Sequence, residues 1–284
     1  MLTNRLLATA AGAVIAAATL AAVVPRLSVA QGGNPRSTTV QKVFPSAVRI
    51  QLAAAGTVVR SASGVAFARD GDRAYILTNA HVVQPGASWK EPVELRVLVS
   101  GGASPFLGRV VACGRVPDTD IAVIEVRGAK VPITPLAPDD ALELGDDLVV
   151  IGAPFGKGLS VAAGIVSQIE YDLAAGAVPR SPRSLKTDAA IGYGSSGGGV
   201  FDVPRGHLVG LIEGYRTARV EFGKDEGGYA FDVPMPGETF VAPAAKIRRF
   251  LGEHGLGRLA PGSAASAAAS LPAPMKAEPA ASRM

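Results

Sequence analysis

The sequence predicts an all-β chain: two small antiparallel barrels of about six strands each, followed by a single C-terminal helix. Three observations carry this. Short β-type runs recur between turn signals in two sets, separated by a proline-rich connector at 131–140. The 284 residues include 34 glycines and 21 prolines, a supply of turn formers that argues against a helical bundle. Only 243–254 has a convincing helical period.

In chain order, residues 1–30 come first. Arg5 is a charged start, 6–24 is apolar, and Ser28-Val29-Ala30 offers the small residues of a cleavage site. The apolar stretch is also close to a membrane span in length, so the reading is a signal peptide or an N-terminal membrane anchor. Either one puts the folded part outside the cytoplasmic membrane: periplasmic, secreted or anchored on its outer side. Residues 31–39 are polar and read as a linker, with a short helix at 39–43 stopped by Pro45.

The main domain is placed at 40–257. Its N-terminal barrel, about 46–130, takes runs at 47–52, 57–60, 64–68, 74–78, 93–99, 108–111 and 121–126, with Asp70-Gly71-Asp72 as a hairpin turn. Its C-terminal barrel, about 145–254, takes runs at 147–152, 159–171, 185–187, 198–201, 207–214, 219–222 and 228–231. The helix has Pro243 at its first turn, Ile247, Phe250 and Leu251 on one face, and Gly255 just past its end. Residues 258–284 are Ala/Ser/Pro-rich and read as a disordered tail. No internal repeat is visible.

Composition narrows the function classes. The net charge is +4, two of the basic residues being Arg5 and Arg26, and no Lys/Arg block reinforces it, so no nucleic-acid partner is expected. The one cysteine, Cys113, forbids an intramolecular disulfide. It ends the apolar run Val110-Val111-Ala112 and is expected to be a buried small hydrophobe. No metal site or cofactor is indicated: His207 stands alone, and the acidic residues at 221–226 read as a solvated loop.

Three stretches carry the chemistry, in one order: Thr78-Asn79-Ala80-His81-Val82-Val83, Asp118-Thr119-Asp120-Ile121-Ala122-Val123, and Gly194-Ser195-Ser196-Gly197-Gly198-Gly199. A serine hydroxyl needs an adjacent base, a group orienting that base, and donors for the developing oxyanion. With three histidines in the chain, the base is nearly forced: His81, anchored by Ile76-Leu77 and Val82-Val83. Asp120, leading an apolar run, is the orienting carboxylate; Asp118 is the rival and reads as a turn residue. Ser196 is the nucleophile, with Ser195 as rival, because only Ser196 is followed by Gly-Gly. The Gly194 and Ser196 N–H groups are the candidate oxyanion hole.

His, Asp, Ser is the triad order of chymotrypsin-like proteases. Gly194-x-Ser196-x-Gly198 also fits the elbow of α/β-hydrolases, but that fold needs its Asp and His after the serine. Only His207 and His254 follow, and strand–helix alternation is missing.

The chain resembles the HtrA/Deg (high-temperature-requirement) branch of trypsin-like serine proteases from about Val43 to Leu251. The match rests on Val43-Phe44-Pro45-Ser46-Ala47-Val48-Arg49-Ile50, the histidine and aspartate motifs, Gly152-Ala153-Pro154-Phe155-Gly156, Gly164-Ile165-Val166-Ser167 and, most branch-specific, Thr187-Asp188-Ala189-Ala190-Ile191. The resemblance implies two six-stranded chymotrypsin-like barrels with the triad between them, no cofactor, and polypeptide substrates. It implies substrate-binding roles for Ala190, Ile191, Leu211, Ile212 and Glu213. Homo-oligomers are common in the branch; Phe44, the only aromatic in the first 65 residues, leaves assembly open.

Three departures stand out. Ser195 replaces a usual Asn, and Gly199 replaces a usual Pro or Ala, making that turn more permissive. The stretch after the last helix is too short for the PDZ domain that many members carry. Digestive relatives place an Asp immediately before the nucleophile to pair with a new N-terminus; Ser195 cannot, so no such zymogen switch is expected. Trypsin-type enzymes carry an Asp six residues before the nucleophile; here it is Ala190, which favours small or medium apolar P1 residues. The resulting expectation is an exported serine endopeptidase acting on unfolded or envelope proteins. The rival is a catalytically silent scaffold or chaperone of the same fold.

Overall fold

The computed structural model describes residues 33–84, 93–138, 142–171, 181–222 and 229–260. The leader reading of 1–30 and the tail reading from 261 onward lie outside the described residues.

Twelve strands form two closed antiparallel barrels. The first contains β1 (Ala47–Ala54), β2 (Thr57–Asp70), β3 (Arg73–Thr78), β4 (Val93–Val99), β5 (Phe106–Cys113) and β6 (Ala122–Arg127), in the order β1-β2-β3-β6-β5-β4. The second contains β7 (Asp147–Gly152), β8 (Ser160–Tyr171), β9 (Pro182–Thr187), β10 (Gly199–Asp202), β11 (Leu208–Phe222) and β12 (Tyr229–Pro243). Its order, β7-β8-β9-β12-β11-β10, repeats that of the first barrel strand for strand. The repeat is one of topology; the residues that build it differ.

Side-chain alternation sorts the apolar runs into three cores. In β7, Leu148 and Val150 point into the second barrel with Val200, Ile212 and Val241. Their neighbours Val149 and Ile151 point the other way, into a core shared between the barrels with Val65, Leu77, Ile121, Val123, Phe201 and Leu211. The first barrel encloses Val48, Ile50, Ile76, Val97, Ile124 and Val126. Strands with both faces covered lose the polar alternation of a half-exposed strand, which is why β3, β6 and β7 read as unbroken apolar runs.

Three helical elements complete the described chain. α1 (Pro35–Val43) starts four residues before the predicted helix and takes up most of the expected linker. Asn34 caps it by accepting from the Arg36 N–H at 3.1 Å, and Pro35 opens its first turn. It is tied to the second barrel: Thr39 Oγ1 donates to the Val203 carbonyl at 2.6 Å, and Arg36 pairs with Asp147 at 2.5 Å. α2 (Ala80–Val83) is a single turn. α3 (Ala244–Glu253) buries Ile247, Phe250 and Leu251 against the shared core and stops before Gly255, whose φ is +69°. Pro243 is its N-cap, one residue outside the helix.

Other boundaries shift. The two runs at 57–60 and 64–68 are one strand, β2, because Ser61-Ala62-Ser63 continues the ladder with β1. The runs at 207–214 and 219–222 merge likewise into β11. Cys113 is exposed, contrary to expectation, because Ala112 takes the inward position at the end of β5.

Candidate active site

β3 ends at Thr78, and the chain turns through Asn79 into α2, which carries His81. Asp120 sits just before β6, beside β3 in the sheet. The two residues meet twice. The His81 backbone N–H donates to Asp120 Oδ1 at 2.8 Å, and His81 Nδ1 lies 2.6 Å from Asp120 Oδ2. Asn79 Nδ2 donates to the Asp120 carbonyl at 2.8 Å. A carboxylate at Nδ1 fixes the proton there and leaves Nε2 as the acceptor. Burial pushes the Asp120 carboxyl up, but bonds from the His81 ring and the His81 N–H outweigh it and hold the carboxyl below its ordinary value. The rival Asp118 is exposed in the preceding turn.

Arg60 braces the far side of the histidine turn. Its Nη1 donates to the carbonyls of His81, Val82 and Gln84 at 2.5, 3.1 and 2.9 Å. These are carbonyls at the end of the single turn, where a cation is favourable. Burial lowers the Arg60 pKa.

The serine loop turns at two glycines in the left-handed region, Gly194 (φ +91°) and Gly197 (φ +78°). Ser195 is buried and its N–H donates to the Gly192 carbonyl, whereas Ser196 is partly exposed. The N–H groups of Ser195, Gly197 and Gly198 are all bonded within the protein. Those of Gly194 and Ser196 have no partner among the described residues. Gly199, read as loosening the turn, lies in β10 opposite Ile151 and Leu211; a Cβ there would collide with the Phe201 ring.

The loop is stitched to the first barrel by a residue the motifs did not single out. Ser63, fully buried in β2, donates from Oγ to the Gly194 carbonyl at 2.7 Å and accepts from the Ala153 N–H at 2.8 Å. Its backbone N–H donates to the Ser196 carbonyl at 2.9 Å, and its carbonyl accepts from Thr78 Oγ1 at 2.7 Å. Gly197 rests so closely on Thr78 and the Ser63 carbonyl that any side chain there would collide. The loop carrying Ser196 is thus bound to the strand that leads into His81. No hydrogen bond joins Ser196 Oγ to His81 among the described residues.

The five residues expected to bind substrate separate. Ala190 is exposed and Ile191 half-buried. They stand on a firm base: Thr239 Oγ1 donates to the Ala189 carbonyl at 2.9 Å, and Asp188 Oδ1 accepts from the Ile165 N–H at 2.7 Å. The side chains of Leu211 and Ile212 are fully buried in two different cores and cannot touch a ligand. Ile212 instead holds the serine loop through its backbone, accepting from Gly197 at 3.0 Å and donating to Gly198 at 2.9 Å. The Glu213 carboxylate is taken up by Lys246 of α3 at 2.6 Å.

Two exposed aromatics beside the serine loop went unremarked. Phe155 has φ +55° and is 70% exposed, and its N–H donates to the Tyr193 carbonyl at 2.6 Å. Tyr193 is 64% exposed and meets Tyr215 edge to face, with centroids 5.9 Å apart. A large residue held in the left-handed region at a surface marks stored strain, a backbone feature that residue identity does not disclose.

The remaining histidines have structural places. The His207 N–H donates to Asp202 Oδ1 at 2.5 Å, and His254 stacks on Phe250 with its Nδ1 2.9 Å from that residue's carbonyl. Among the described residues, no three His, Cys, Asp or Glu side chains gather as metal ligands would.

Comparison with known proteins agrees with this geometry. Residues 62–211 match the family model described as a trypsin-like peptidase domain. HhoA of Synechocystis sp. is 34% identical over 161 residues, covering 56% of this chain and 37% of HhoA. The periplasmic serine endoprotease DegP of Escherichia coli is 36% identical over 144 residues, 50% of this chain and 28% of DegP. The matched region thus spans about a third of these relatives. A serine endoprotease from Yersinia pestis superposes with a TM-score of 0.57 at 23% identity, over 80% of this chain and 68% of that one, which shows the shared two-barrel fold.

Proposed function

We propose that this chain, which belongs to the family of trypsin-like peptidase domains, is a serine endopeptidase working through His81, Asp120 and Ser196. The observation that carries the reading is the twofold bond between His81 and Asp120 beside a serine loop with two undonated N–H groups. Ser196 Oγ attacks the scissile carbonyl while His81 Nε2 takes its proton. The oxyanion accepts from the Gly194 and Ser196 N–H groups. His81 then hands the proton to the leaving amine, and water resolves the acyl-enzyme by the same route. Asp120 keeps the imidazole in its tautomer and stabilises the imidazolium.

The substrate class is an extended polypeptide with a small or medium apolar residue at P1, received by a site where Ala190 offers no charge. Export fits the leader reading of 1–30 and the periplasmic placement in the name of the related DegP. The missing bond between Ser196 and His81 favours the scaffold reading, but such bonds are often long without substrate.

Incubating the full chain with casein, alongside Ser196→Ala, tests the reading. Wild-type turnover and fluorophosphonate labelling, both lost in the variant, are expected. No cleavage and no labelling of the wild type would leave the scaffold or chaperone reading in its place.

A further inference from the structure

β11 and β12 run well past the barrel they close. β10 pairs with β11 only up to Leu211, and the serine loop takes up Ile212. Beyond Ile212 that edge of β11 has no strand partner among the described residues, while its other edge stays paired with β12 out to Phe222 opposite Tyr229. Barrel closure does not need this length, since β12 reaches β9 through Thr239–Val241 alone. A two-stranded ribbon without a core beneath it is marginal in water. Here Arg216, Thr217, Arg219 and Glu221 are exposed on one strand, and Phe231 and Met235 on the other.

The two free edges differ. β12 carries Pro234 and Pro236, which have no N–H to offer and stop a further strand from adding. β11 has no proline from 213 to 222, and its free edge lies on the β10 side, where the chain leaves the serine loop. Space is open where that edge begins: a Cβ built on Gly214 meets nothing within 4 Å.

We propose that the free edge of β11, residues 213–222, is a polypeptide-docking strand that extends the active site. The segment of substrate on the N-terminal side of the scissile bond pairs antiparallel with it, well beyond the few residues nearest Ser196. The inference rests on the protease reading. β11 runs away from the serine loop, so a strand antiparallel to it runs toward Ser196 and delivers its C-terminal end to the nucleophile. Main-chain pairing recognises an extended chain with little regard to sequence. Arg216 is paired with Glu238 at 3.8 Å and Arg219 with Glu221 at 3.4 Å, so the edge selects weakly by charge.

The test compares the full chain with a shortened variant. Ala218 and Val233 face each other across the ribbon, so 219–232 can be excised and the ends closed by an Asn-Gly turn. Fluorogenic peptides sharing one P1 residue, with three to nine residues before the scissile bond, are given to both. In the full chain kcat/KM is expected to rise about tenfold or more with length, two added strand bonds being enough. In the variant the rise stops after the first few residues, with cleavage of the shortest peptide unchanged. A flat series in an active full chain overturns the docking strand alone, as does an undiminished rise in the variant. A changed sedimentation coefficient with the rise intact makes the ribbon a contact between copies and overturns it too. No cleavage of any peptide and no fluorophosphonate labelling removes the protease reading, and the docking strand with it.

Discussion

Ser63 and Gly194, 131 positions apart, are joined by a 2.7 Å hydrogen bond from Ser63 Oγ to the Gly194 carbonyl. The bond reaches from the first barrel to the residue whose N–H is proposed to face the oxyanion. Ser63→Ala leaves that carbonyl and the Ala153 N–H without their partner, at a cost of about 2 kcal/mol in stability. It should lower kcat roughly tenfold with KM little changed, since a loosened donor acts in the transition state. Steady-state kinetics and thermal unfolding read both effects; an unaltered kcat would show that the bond is structural only.

The register of the nucleophile is open to a direct contrast. Ser196→Ala should lower turnover by several orders of magnitude, as loss of a triad nucleophile does. Ser195→Ala should keep most of the turnover, because Ser195 is buried and its Oγ meets only the Gly192 N–H at 3.4 Å. The reverse pattern would move the nucleophile by one residue.

Asp120 predicts a pH signature. Its folded carboxyl is held below its ordinary value, so its bonds stabilise the fold above the unfolded value of about 3.9. That contribution is lost as the pH falls through the folded value. Asp120→Asn should therefore lower the melting temperature at neutral pH, with the gap closing in acid. Its kcat should fall by roughly four orders of magnitude, the effect of the same change in a serine-protease triad. A gap that widens in acid contradicts the assignment.

Ala190 predicts a change of specificity. Ala190→Asp places a carboxylate at an exposed position that offers no charge in the native chain. Cleavage should shift from small apolar P1 residues toward Arg and Lys. Mass spectrometry of casein digests reads the shift, and an unchanged product profile would place P1 recognition elsewhere.

The sequence made His81 and Asp120 legible because each is flanked by apolar residues that build a strand or turn beside it. Ser196 was legible through its glycines. Ser63 was not: it sits among small residues in Ser61-Ala62-Ser63 and looks like a strand break. Its partners are backbone groups of Gly194 and Ala153, which no local pattern announces. The start of α1 was readable in principle from Asn34-Pro35, a cap followed by a first-turn proline. Its buried side is only Thr39 and Val43, too thin an apolar stripe to register as periodic. Leu211 and Ile212 were placed on the right strand, but alternation sends both side chains into cores and leaves only their backbone to the site.

The seat of Gly197 against Thr78 and the Ser63 carbonyl has a bearing on the order in which the molecule comes to life. His81 and Asp120 belong to the first barrel, and Ser196 to the second. A chain with only one barrel formed holds a base without a nucleophile, or a nucleophile without a base. For the proposed protease, chemistry therefore waits on the last step of assembly. A half-made molecule is harmless to the unfinished copies around it.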